Sequence, residues 1–338
     1  MRRPALALLA AIFCLLGTGC GESQGFEGEV RLPEATAEGA SWSPDGRWLA
    51  IPNKDGVLLR DVAKGKRRQL QAPPMRRHQG VMPGRFGWSS DGAEVHYVTK
   101  IGPEENRGGW ITVVPTDGGE VQQVALGTSV QATAWAPDGW PLAYSTGPYA
   151  ISGGGPIGPK PALWRVDGLD SPPRLLLNFR GEEAAPEFSP DGRRLAFALR
   201  SNKGVLGLWV ARSDGSHPRR IAGPLIGIGY RWSPDGKRIA LIGTTLKGNR
   251  RQHLYVVSSH GGRLHEISAE EVAGEPAWTP DGRWIAYATY EGTIKRVRPD
   301  GSGRRTIATL EHKHVRDLLW SPDGEHLSYS AEEIIESD

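Results

Sequence analysis

Trp42–Ile51 reads WSPDGRWLAI, and the chain repeats nearly the same words six more times. The other copies are WSSDGAEVHY from Trp88, WAPDGWPLAY from Trp135, FSPDGRRLAF from Phe188, WSPDGKRIAL from Trp232, WTPDGRWIAY from Trp278 and WSPDGEHLSY from Trp320. The Ser-Pro-Asp-Gly core suits a tight turn between antiparallel strands. Proline presets φ at the second turn position, aspartate favours the third, and glycine accepts the left-handed backbone that closes the hairpin. Ser90 replaces the proline once, and Ala136 and Thr279 replace the serine, but Asp-Gly survives in every copy.

The flanks read as strands. The third and fifth residues after each glycine are apolar, as in Leu49 and Ile51, Val95 and Tyr97, or Ile285 and Tyr287. That is a period of two. The residue between them is small in six copies, and His96 is the exception. A small residue on the second face predicts a sheet covered by neighbours on both sides. Each copy then continues into an alternating strand, a Gly-rich turn and a basic-then-aliphatic strand, as in HLYVVSSHGGRLHEIS from His253. Four short strands recurring at Asp-to-Asp spacings of 46, 47, 53, 44, 46 and 42 are the signature of propeller blades.

The ends predict how the ring closes. After Trp320 there is room for two strands and a short third, but not a fourth. Glu29–Leu32 (EVRL) reads like the fourth strand of the other units: Leu32 stands 10 residues before Trp42, against 11 from Val124 to Trp135. The expectation is an all-β, seven-bladed β-propeller of four-stranded antiparallel blades, closed by an N-terminal strand completing the last blade. Such closure leaves no open sheet edge. The organisation expected is a signal peptide over 1–19, a tether over 20–28 and the propeller over 29–338.

The signal is read from MRRPALALLAAIFCLLGTGC. Arg2 and Arg3 precede a short apolar core that is too brief for a permanent span, and small residues lead to Cys20. This resembles a bacterial lipoprotein signal, which implies lipid attachment at Cys20 and export. Gly21 after the cysteine implies the outer membrane by the same resemblance, facing the periplasm or the cell surface. Removing the signal takes two arginines, so 41 Lys and Arg against 38 Asp and Glu becomes a net charge of +1. Bulk charge therefore gives nucleic-acid binding no support. The two cysteines, Cys14 and Cys20, fall in the signal and at the lipid site, so no disulfide staples the exported fold.

The SPDG words with their following strands resemble the TolB-like, WD-like propeller repeats of exported bacterial proteins, over essentially everything from Glu29 onward. The resemblance implies the fold and not the activity, because propellers host many unrelated roles. TolB itself carries an α/β domain before a six-bladed propeller, whereas about twenty residues separate Cys20 from the first repeat here. A direct role in the Tol–Pal system is therefore not expected. A peptidase of the prolyl-oligopeptidase type is not expected either, since the repeats fill the chain and leave no room for a hydrolase domain.

The seven turn aspartates read as turn formers rather than catalytic carboxylates, since they are spread one per repeat. The repeated aromatics account for six of the twelve tryptophans and read as packing between blades. No catalytic residue and no cofactor is expected. Three long segments, from Gln71, Thr99 and Ser145, belong to adjacent blades and to the face opposite the SPDG turns. They include Arg76, Arg77, His78 and Arg85, which make a basic candidate surface for a partner. His312 and His314 are expected on a loop of that face near the axis. They could join a metal site, but no third ligand is evident. Gly153–Gly155 lacks the Lys-Ser/Thr ending of a phosphate loop.

The leading expectation is a non-enzymatic, envelope-tethered scaffold that binds an envelope protein or polysaccharide through its loop-rich face, held to the membrane by its lipid. The alternative is a carbohydrate-binding or carbohydrate-active propeller, lyase- or hydrolase-like, with His312, His314 and Glu182 or Glu183 in a central pocket.

Overall fold

The structure, a computed structural model, describes residues 29–31, 39–53, 56–71, 80–81, 86–100, 109–128, 130–147, 161–179, 185–200, 205–245, 251–268, 270–310 and 313–333. Strand β1 is Glu29–Arg31. The first repeat holds β2 (Ser41–Trp42), β3 (Trp48–Asn53), β4 (Gly56–Asp61) and β5 (Arg67–Gln71), paired in that order. The second holds β6 (Gly80–Val81), β7 (Gly87–Trp88), β8 (Glu94–Lys100), β9 (Gly109–Pro115) and β10 (Gln122–Ala125). The third holds β11 (Ala132–Trp135), β12 (Leu142–Thr146), β13 (Ala162–Val166) and β14 (Arg174–Asn178). The fourth and fifth share one seven-stranded sheet: β15 (Glu187–Phe188), β16 (Arg194–Arg200), β17 (Leu206–Arg212), β18 (Arg219–Trp232), β19 (Arg238–Thr245), β20 (His253–Ser258) and β21 (His265–Glu266). The sixth holds β22 (Val272–Trp278), β23 (Ile285–Thr289), β24 (Thr293–Val297) and β25 (Arg305–Thr309), and the last holds β26 (Lys313–Trp320) and β27 (Leu327–Glu333). The fold is an all-β propeller of small, mainly antiparallel sheets.

Three features depart from four separate strands per repeat. The link between repeats four and five is not a loop. Leu225 pairs with both Leu206 and Thr245, so the two ladders run on through β18 and fuse their sheets. Gly80–Val81, inside a segment read as loop, pairs with Thr99 and Lys100 at the end of β8. The last sheet has the order β26-β27-β1, and β1 lies parallel to β27. In an up-and-down sheet the fourth strand runs in the same direction as the second. The N-terminal strand thus has the direction of a fourth strand but takes the third position.

The strand pattern explains the core. Each second strand buries its third, fourth and fifth residues after the turn glycine: Leu49, Ala50 and Ile51 in the first repeat, Leu327, Ser328 and Tyr329 in the last, none more than 2% exposed. The middle residue packs on one neighbouring sheet and its flanking residues on the other. Ala196 joins a cluster with Ile239 and Tyr255 of the next repeat, while Leu195 and Phe197 join Ala143 and Leu163 of the preceding one. A last cluster joins Trp42, Leu49 and Ile51 to Leu319, so the first repeat packs on the last.

The repeated aromatic locks neighbouring first strands together. The indole N–H of Trp88 donates to the carbonyl of Ser41 at 3.3 Å, that of Trp232 to Glu187 at 3.2 Å, and that of Trp278 to Arg231 at 3.1 Å. In each case the acceptor is the residue just before the preceding repeat's aromatic. Trp42 donates to Leu319 at 3.3 Å and carries the same bond across the junction of the chain ends. Cation–π contacts add to it: Arg194 lies over Trp232 at 4.9 Å and Arg238 over Trp278 at 5.4 Å. Phe188 cannot donate, the indole N–H of Trp320 does not repeat the bond, and the Trp135 Nε1–H has no hydrogen-bond partner among the described residues. Trp135 instead lies against the backbone of Gly87, where a Cβ would come within 2.5 Å of its ring.

The turns themselves are hydrogen-bonded hubs. Ser233 Oγ donates to Asp235 Oδ1 at 2.5 Å and accepts from the amide of Arg238 at 2.9 Å, and the same carboxylate oxygen accepts from the amide of Lys237 at 3.0 Å. Gly236 sits at φ +65°, which closes the turn. The pattern recurs at Ser43, Ser89, Ser189, Thr279 and Ser321; Ala136 has no hydroxyl to offer. The turns also touch in order. Gly92 faces Pro44, Gly236 faces Pro190, Gly282 faces Pro234, Gly324 faces Pro280, and Gly46 faces Pro322 of the last turn.

The serine hydroxyl holds the Asp91, Asp191 and Asp323 carboxyls below the usual carboxylate range, and Thr279 does so for Asp281. For Asp235 burial opposes the shift, and Ser233 and the Lys237 amide outweigh it. A depressed folded-state pKa stabilises the fold above the unfolded value of about 3.9 and is lost as pH falls through the folded value. Thermal midpoints should therefore fall steadily between about pH 5 and pH 2. Ser233→Ala should cost about 1–2 kcal/mol in urea unfolding at pH 7, because the Arg238 amide loses its partner. It should also shrink the acid dependence. A variant as stable as the parent would remove the hydroxyl hub as a source of stability.

Candidate functional site

The first strands of all the repeats surround a cavity of about 660 Å³. Its lining includes Ser41, Trp88, Thr133, Glu187, Arg231, Glu275 and Asp317. The two halves of the wall differ. Repeats one to three supply no charge: small residues such as Ser41, Ala132 and Thr133 stand beside Phe86, Trp88 and Trp135. Repeats four to seven supply Glu187, Arg231, Glu275, Arg316 and Asp317. One half is thus uncharged and open to close approach, and the other bears three carboxylates and two guanidinium groups.

Arg231 organises the charged half. Its Nη2 is ion-paired with Glu275, and Nη1 lies 3.8 Å from Glu187 Oε2. Nη1 also donates to the carbonyl of Tyr230 at 2.7 Å. Burial pushes the guanidinium pKa down, but Glu275 and Glu187 outweigh it and raise it above its ordinary value. The group stays charged at every accessible pH. Its Nε has no hydrogen-bond partner among the described residues. Glu187 also takes a long 3.4 Å contact from the amide of Trp232, while Glu275 is 42% exposed. The adjacent Tyr230 is 3% exposed and its hydroxyl donates to the Ala185 carbonyl. Burial, and then Glu187, push its pKa well above the ordinary value, so it is a neutral donor. Asp317 adopts φ 55° and accepts from Ser330 Oγ at 2.6 Å.

His314 is not where the sequence reading puts it. It lies in β26, opposite Glu332 of β27, half-buried, with its ring edge-on to Tyr290 at 6.4 Å, and it does not line the cavity. The strand continues further back than the aromatic word suggests, so the histidine becomes part of a ladder. Arg76, Arg77, His78, Arg85, His312, Glu182, Glu183 and Cys20 lie outside the described residues. So does Gly21–Gly25, GESQG, the one match in the sequence to the Gly-x-Ser-x-Gly nucleophile elbow that a prolyl-oligopeptidase-type hydrolase domain would carry. Among the described residues no three His, Cys, Asp or Glu side chains group as a metal site. His96, the odd residue in the small column, is fully buried between Trp135 and Trp140, with Nε2 3.1 Å from Glu94. It packs between repeats.

The charged cluster was missed in the sequence, although a signal exists. The residue before each aromatic is Ser41, Gly87, Ala134, Glu187, Arg231, Ala277 and Leu319, and the residue three before it includes Glu275 and Asp317. Charges in first-strand columns that are otherwise mostly small or apolar mark side chains facing the axis.

Residues 89–337 match the TolB beta propeller domain family, and the chain belongs to it. It is 24% identical over 269 residues to the uncharacterized protein Atu1656 of Agrobacterium fabrum, covering 75% of this chain and 84% of that protein. It is 29% identical over 217 residues to the Tol-Pal system protein TolB of Anaeromyxobacter dehalogenans, covering 62% of this chain and 41% of that one. Among solved structures, oligogalacturonate lyase from Vibrio parahaemolyticus superposes with a TM-score of 0.64 at 14% identity, over 90% of this chain and 93% of the lyase. At that identity the likeness is one of fold.

Removing Arg231 would leave Glu187 and Glu275 near each other without the guanidinium that now faces both. Arg231→Met should therefore destabilise the protein by about 3 kcal/mol. Glu275→Gln, which leaves Arg231 beside Glu187, should cost under about 1 kcal/mol. Urea unfolding of the two variants distinguishes a structural pair from a site kept for binding. Equal losses would show that the exposed carboxylate is as structural as the guanidinium.

Proposed function

We propose that the protein is a non-enzymatic binding propeller of the cell envelope, exported and held by a lipid on Cys20, which takes part of a partner into its central cavity. The observation that carries this reading is the two-sided cavity wall. Small residues on one half admit close approach, and a charged half offers fixed points for orientation, the pattern of a binding site. Membership of a family whose relatives include a Tol-Pal protein supports an envelope partner, protein or polymer. The domain plan that goes with it is a signal over 1–19, a tether over 20–28 and a seven-bladed propeller over 29–338. The contacts between successive turns and the bond from Trp42 to Leu319 support that blade count. Arg76, Arg77, His78 and Arg85 belong to the same proposal as an outer docking surface on the loop-rich face.

The test is affinity capture from native envelopes with the full-length protein, Thr133→Trp and Arg76→Ala/Arg77→Ala. Thr133→Trp fills the uncharged half of the cavity without touching the charged half. A specific species retained by the parent and lost on Thr133→Trp is the expected result. Retention by Thr133→Trp with loss on the arginine pair would move the site to the outer loops. Retention by both variants would remove both surfaces from the reading.

A further inference from the structure

The charge of the ring is strongly one-sided. Residues 187–310, which span β15 to β25, contain 20 Lys and Arg against 11 Asp and Glu, leaving 21 against 27 for the rest of the chain. These 124 residues therefore carry +9 by count and the other 214 carry −6. Such a dipole orients a protein against a charged surface.

The excess has a definite place. The residue after the turn glycine is Arg193, Lys237 and Arg283 in three consecutive repeats, and all three are exposed. The neighbouring repeats carry Trp140 and Glu325 there, and the exposed Arg47 at that position in the first repeat is ion-paired with Asp61 at 3.2 Å. Arg219, Arg263 and Arg305, at or just before the fourth strands of the same repeats, are exposed as well. The turn contacts place these residues side by side: Gly236 faces Pro190, Gly282 faces Pro234 and Gly261 faces Ile221. Arg219 is fixed towards the next repeat by donating to the carbonyls of His260 and Ser259 at 3.0 and 2.9 Å. The acidic groups among them are the turn aspartates Asp191, Asp214, Asp235, Asp281 and Asp300, whose Oδ1 atoms are already committed to the turns; Asp281 Oδ2 also lies 3.8 Å from Arg283. None of these cations lines the central cavity. They form a broad rim of side chains, not a cleft.

We infer that the turn face of repeats four to six docks on an anionic phospholipid surface through its headgroup phosphates. Guanidinium groups bind phosphate oxygens in pairs. A wide rim with no pocket suits an extended sheet of headgroups better than one small anion. Each basic group near such a surface adds attraction that salt weakens. The inference does not rest on the cavity reading, since it uses a different part of the ring.

The test is vesicle co-sedimentation of the full chain, with Cys20→Ser in every arm to remove any acyl chain. Vesicles are pure phosphatidylcholine or phosphatidylcholine with about a third phosphatidylglycerol, a composition rich enough for charge attraction to register. Binding should be at least tenfold stronger to the anionic vesicles and should fall as salt rises. Arg193→Glu/Lys237→Glu/Arg263→Glu, whose side chains are all exposed, should lose most of that difference with an unchanged melting temperature. A matched reversal in the first repeat, Lys64→Glu/Lys66→Glu/Arg67→Glu, should lose much less. Equal binding to both vesicle types would overturn the inference. So would equal losses from the two triple variants, or binding to soluble polyphosphate without binding to anionic vesicles.

Discussion

The indole-to-carbonyl bond between successive first strands is the constraint from which the rest of the ring follows. At four junctions it joins the innermost strand of one repeat to the innermost strand of the one before, at a fixed point beside the aromatic. Trp42 makes that bond to Leu319, so the same geometry holds across the chain ends. First strands held at one spacing around an axis leave a space between them, and the cavity is that space. The aromatic thus does two jobs. It fills the gap between sheets, where large apolar area counts most, and it sets how near the strands can come.

At two of the junctions that lack the bond, those of Trp135 and Phe188, the local residues explain the packing. Trp135 has a glycine, Gly87, beneath its ring and no acceptor for its N–H. His96 and Trp140 crowd the same junction. That junction trades a hydrogen bond for aromatic contact area. Phe188 needs no acceptor, and its partners are the leucines and alanines of the third and fourth repeats. The ring therefore tolerates variation at a joint when apolar surface is still covered.

The two charged features are separated by topology. First strands face the axis, so a charge there, such as Arg231, must be paired or it is left desolvated. Residues just after the turn glycine face solvent, so Arg193, Lys237 and Arg283 need no partner and can accumulate. Cavity and rim can thus carry different chemistry on one scaffold, which is how a repeated unit supports more than one surface.

The repeated words determined much by themselves. Proline, aspartate and glycine at fixed offsets define a turn whatever surrounds it, and period-two alternation defines which side chains are covered. The burial of Leu49, Ala50 and Ile51 and of their counterparts could be read directly from that pattern. Tertiary structure decided what depends on neighbours. The fusion of two sheets through β18, the parallel seat of β1 on β27 and the place of His314 in a ladder all depend on pairings between distant segments. So does the meeting of Glu187, Arg231 and Glu275, each 44 residues from the next. Local sequence fixes which way a side chain points from its strand, but only closure of the ring decides what it points at.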